Sequence, residues 1–160
     1  MISEVQTKSC RWIYIGYPSP DRGFIVDHLK AWGCVVDEYL KHDHPDHLLA
    51  ATVAIASYPF DAAFLEPDAD PEAYLKLAEV LYSEGIPFIW STSAEGHHTD
   101  IEGMGGAVVR LPGLARDVYR AIRAEFPDRV VSKMKLDRPV MITWDGHPDT
   151  RVWSVPLSGR

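Results

Sequence analysis

Phe60-Asp61-Ala62-Ala63-Phe64-Leu65-Glu66-Pro67 is the stretch whose reading decides the fold. Its apolar run has few polar interruptions, which is the mark of a parallel strand covered on both faces. The run stops at one acid and a proline. Open α/β sheets place their ligand crevices at the carboxyl ends of such strands. Glu66 is therefore the first candidate functional residue.

Working outward, the chain alternates between strand and helix signals. Arg11 to Tyr17 reads as a strand rich in aromatic and β-branched residues, closed by Tyr17-Pro18-Ser19-Pro20. Ser19 is a candidate cap with Pro20 at the first helical position. Ile25, Leu29 and Trp32 continue at helical spacing until Gly33. Cys34 to Leu40 reads as the second strand. A helix is expected from Pro45, with Leu49, Val53 and Ala56 along one face, broken at Ser57-Tyr58-Pro59. Beyond the opening stretch, Asp70 and Pro71 start a helix whose stripe is Tyr74, Leu77, Ala78 and Leu81. Gly85 ends it and Ile86 to Ser91 is the fourth strand. Residues 92–106 are polar and glycine-rich, with at most a short helix near Asp100 to Met104. Ala107 to Leu111 is the fifth strand. Leu114, Val118, Ile122 and Phe126 then recur every four residues in an amphipathic helix over 114–126.

Five β-α units with short connections predict a doubly wound, parallel five-stranded sheet with helices on both faces. The expected fold class is α/β, flavodoxin-like, with strand order 2-1-3-4-5. This domain is expected over 9–127, and a C-terminal extension over 128–160. There Val140 to Trp144 and Arg151 to Val155 flank Asp145-Gly146-His147-Pro148-Asp149, which predicts a β-hairpin. Two strands alone are marginally stable, so the hairpin should pack on the domain or on a partner. Met141, Trp144 and Trp153 would supply its contact surface.

The 160 residues are 46% hydrophobic and 24% charged, an ordinary balance for a globular domain. The net charge of −7 disfavours nucleic acid and anionic membrane as partners. No apolar run is long enough to span a bilayer, and Met1-Ile2-Ser3-Glu4-Val5 lacks a signal-peptide core. Cys10 and Cys34 make neither a disulfide framework nor a metal-thiolate motif. A reducing, cytoplasmic setting is expected.

Three local patterns carry a family resemblance. They are Leu29-Lys30-Ala31-Trp32-Gly33-Cys34-Val35-Val36, the opening stretch ending in Glu66, and Gly85-Ile86-Pro87-Phe88-Ile89-Trp90-Ser91-Thr92. Over about 11–126 the chain resembles the receiver domain of bacterial two-component response regulators. The resemblance implies an acid pair after the first strand and a phospho-accepting aspartate after the third. It also implies a switch hydroxyl after the fourth strand and a lysine after the fifth. The acids would hold Mg²⁺, and the metal and lysine would offset the charge of the transferring phosphoryl group.

This chain departs from that pattern. The acid pair falls on Gly16 and Tyr17, the aspartate on Glu66 and the lysine on Leu111. Only Thr92 keeps its residue type. Arg110 neighbours the lysine position, but strand alternation directs it to the other face. A degenerate, or pseudo-, receiver is therefore expected, acting as a phosphorylation-independent protein–protein interaction module and not as an enzyme. Glu66 is a candidate fixed mimic of phospho-aspartate acting toward Thr92. The bland alternative is a solvated carboxylate at a strand end. The helix over 114–126 is a candidate homodimer face, as in many receivers, and no cofactor is expected.

Two other classes stay open. His42, Asp43, His44, Asp46 and His47 crowd one loop, and imidazole with carboxylate can bind a divalent metal. The spacing lacks the helical register of known zinc motifs. His97, His98 and Asp100 form a second cluster. Together the loops would make a metal- or small-ligand-binding sensor. A small-molecule enzyme on this architecture would need a nucleophile and a base that converge, and Glu66 is the one candidate. Gly103-Met104-Gly105-Gly106 reads as a turn and not as a phosphate cradle, since a strand follows it.

Overall fold

The computed structural model describes residues 9–18, 20–41, 46–96, 98–110 and 115–136. Five strands form one parallel sheet in the order β2-β1-β3-β4-β5. They are β1 (Cys10–Gly16), β2 (Cys34–Leu40), β3 (Ala62–Leu65), β4 (Phe88–Thr92) and β5 (Gly106–Arg110). The helices are α1 (Pro20–Ala31), α2 (His47–Ser57), α3 (Pro71–Ser83), α4 (Thr99–Gly103), α5 (Ala115–Glu125) and α6 (Asp128–Val131). This is an α/β architecture consistent with a flavodoxin-like fold. The expected hairpin lies outside the described residues.

Strand alternation divides the core into two layers. Trp12, Tyr14, Ala62, Phe64, Ile89, Ala107 and Val109 face α1 and α5. Ile13, Ile15, Ala63, Leu65, Phe88 and Trp90 face α2, α3 and Ile101 of α4. Buried on both sides, β3 needs the unbroken Ala-Ala-Phe-Leu run. Asp61 stands at its entry, where it accepts a bond from the Arg11 amide and pairs with Lys133.

Local chemistry sets the boundaries. Asp70 caps α3 through the Ala73 amide, and Pro71 occupies the first turn. Gly33 and Gly85 leave their helices with φ of +90° and +74°, a conformation glycine adopts without penalty. Asp46 caps α2 through the Leu49 amide.

One helix lies the other way up from its apolar pattern. Leu49 and Val53 are 59% and 56% exposed, and Ala56 is exposed beside them. The face packed on the sheet is His47, Ala51, Ala54 and Ile55. Both faces of α2 are apolar, so hydrophobicity does not choose between them. Small alanines allow close approach to the sheet, which favours the observed face.

The chain after Pro127 continues into the same packing. Val130, Met134 and Leu136 join the core under α1 and α5. The Lys135 amide donates to the Trp32 carbonyl at 2.7 Å, and the Tyr119 hydroxyl to the Leu136 carbonyl at 2.9 Å. Among the described residues, no helix is long and apolar enough to cross a membrane.

Candidate functional site

The carboxyl ends of β1, β3 and β4 carry two separate polar constellations. The first is built on Glu66. Its Oε2 accepts from the Tyr14 hydroxyl at 2.7 Å, and its Oε1 from the Tyr17 amide at 2.9 Å. Its own amide donates to the Ile15 carbonyl. The side chain thus folds back over the end of β1. A Cβ placed on Gly16 would stand 2.1 Å from Oε1 and 2.9 Å from the Glu66 Cβ. Glycine at 16 is what lets the carboxylate lie there.

Beside it, on the α2 and α3 side, Tyr17, Tyr74 and His47 form a chain. The His47 Nε2 and the Tyr74 hydroxyl lie 2.9 Å apart, and the Tyr17 ring stands edge-on to His47 with centroids 6.0 Å apart. Burial raises the Tyr17 pKa above the usual phenol range. Burial, with the charges of Tyr17 and Glu66, pushes Tyr74 far above it. Both phenols stay protonated at neutral pH and act as hydrogen-bonding groups.

The second constellation joins β3 to β4. The Thr92 hydroxyl donates to Asp68 Oδ1 in a short bond. Asp68 Oδ2 accepts from the Ser93 amide at 2.9 Å and the Ser93 hydroxyl at 2.7 Å. Thr92 Oγ1 in turn accepts from the Ala94 amide. Burial works against the Asp68 charge, but the bonds from Thr92 and Ser93 outweigh it and hold the carboxyl below its ordinary range.

The two sequence candidates therefore have different described partners. Leu65 pairs with Trp90 across the sheet, so Glu66 comes abreast of Ser91, and Thr92 lies one step on. Alternation turns Glu66 toward the Tyr14 layer and Thr92 toward the Trp90 layer. Sequence reasoning did not single out Asp68, which lies in the turn between β3 and α3. The available signal was an acid three residues past the end of β3, with a Thr-Ser pair at the end of β4.

His47 is buried against Tyr74, away from the solvent-facing loop expected of it. His42, His44 and Leu111 lie outside the described residues, as do His97 and the hairpin residues Met141, Trp144 and Trp153. Among the described residues, no group of three or more His, Cys, Asp or Glu side chains could hold a metal ion. Arg110 pairs in register with Thr92 and so lies abreast of it on the sheet. His98 and Asp100 line a cleft of about 380 Å³ beside Asp68.

Compared with known proteins, the chain matches no family model, and no curated protein matches it.

Proposed function

We propose that the chain is an atypical, receiver-like signalling module that works by protein–protein contact and without phosphoryl transfer. The observation that carries this reading is the clasp of Glu66 by Tyr14 and the Tyr17 amide over Gly16. A receiver's acid pair would supply oxygen ligands to Mg²⁺ where this chain has Gly16 and Tyr17. A single carboxylate already engaged by two donors is a poor substitute, because Mg²⁺ demands a near-octahedral oxygen shell. The residues present do not fit the ion. The exposed apolar residues Leu49, Val53 and Tyr58 support the contact reading, since aromatic and apolar groups enrich the centres of interfaces. The partner is a signalling protein in the cytoplasm.

The test is a titration of the full chain with Mg²⁺ and beryllofluoride followed by amide NMR. The expected outcome is no saturable shift at Tyr17, Glu66 or Thr92. Saturable shifts there would mean the pocket still takes a metal and a phosphoryl analogue, and the reading would fall.

A further inference from the structure

The cleft beside Asp68 lies on the other side of β3 from the Glu66 clasp, and that clasp makes no use of it. Its floor is Trp90 and Ile101, which are 5% and 2% exposed, with Pro67 and Leu75 at its wall. Its rim carries Asp68, Glu72, Asp100 and His98. A volume of about 380 Å³ falls in the range of small-ligand sites. It suits one aromatic ring with a short arm. We propose that this cleft binds a small organic cation, a protonated amine carried on an apolar ring, with Asp68 as counter-ion and Trp90 beneath the ring.

Asp68 is prepared for this task. Thr92 and Ser93 hold it from below, so it loses little side-chain freedom when it pairs. A carboxylate offers about four acceptor sites and three of these are used, leaving one for an ammonium proton. Glu72 and Asp100 add negative charge at the mouth. Among the described lining residues, no lysine or arginine opposes them. Arg110, abreast of Thr92, lines the separate groove along β5 and α5 instead. An anion at the start of α3 is the weaker fit. Asp70 already bonds the Ala73 amide there, Pro71 lacks a donor, and Glu72 repels negative charge.

The experiment titrates the full chain with 2-phenylethylamine, 2-phenylethanol and 3-phenylpropanoate, read by amide and indole NMR. The amine should give saturable shifts at Ser93, Ala94, Ile101 and the Trp90 indole. The alcohol should bind at least about tenfold more weakly and the carboxylate more weakly still. Asp68→Asn should weaken the amine by about tenfold and leave the alcohol unchanged. If that variant does not fold, Glu72→Gln with Asp100→Asn, both exposed, should lower amine affinity severalfold. The proposal is overturned if the amine fails to saturate by ~10 mM. It is equally overturned if the alcohol or the carboxylate matches the amine, or if the charge-neutral variants that fold bind the amine as tightly as the parent chain.

Discussion

Gly16 and Glu66 show how one residue's absence of a side chain decides another's conformation. The Glu66 carboxylate occupies the space a Cβ at 16 would need. Gly16→Ala should therefore displace the carboxylate and break its bond with the nearly buried Tyr14 hydroxyl. The expected loss is about 1–3 kcal/mol, by overpacking and by the loss of that hydrogen bond. In a Glu66→Ala background, where the two nearest clashing atoms are gone, the same substitution should cost about half as much or less. Chemical denaturation of the four proteins measures this, and strict additivity would contradict the clasp. From sequence, Gly16 reads as a missing acid. Its steric role needs the position of a residue fifty places away.

At the scale of the element, α2 is the instructive case. Its residues are apolar on both faces, so a period of 3.6 fits more than one orientation. The structure buries Ile55 and exposes Leu49 and Val53. Ile55→Ala should cost about 2–4 kcal/mol through the cavity it leaves. Leu49→Ser and Val53→Ser should each stay within about 1 kcal/mol, because they remove little from the core. Thermal unfolding ranks the three, and a reversed order would put the helix the other way up. The helices α1, α3 and α5 were readable, whereas α6 falls in the stretch read as the start of the extension. Asp70-Pro71, Gly33 and Gly85 punctuate the chain through local backbone chemistry that needs no partner. The Tyr74, Leu77, Ala78 and Leu81 stripe has a polar face opposite it, and those four residues are buried as the pattern requires.

For the whole molecule, the packing of 128–136 binds the far end of the described chain to its centre. Val130 is fully buried, Lys133 reaches Asp61 at 2.8 Å, and Arg129 donates to the Gly85 carbonyl at 2.6 Å. Val130→Ala should lower stability by about 1–3 kcal/mol. Near-ultraviolet circular dichroism and tryptophan fluorescence should report one shared transition. Two separated transitions would show that this segment folds apart from the sheet. The sequence by itself determined the alternation of elements, which follows from periodicity and caps along the chain, and its short connections with right-handed crossovers pointed to the parallel sheet and its order. It also singled out Glu66 and Thr92 as polar residues at strand ends. Only the tertiary structure decided what each of them touches. Which pleat face a strand-end side chain takes, and which loop acid comes within bonding distance, depends on cross-strand register. Asp68 therefore meets Thr92 while Glu66 folds back over Gly16, a pairing set by contacts between residues 24 and about 50 positions apart.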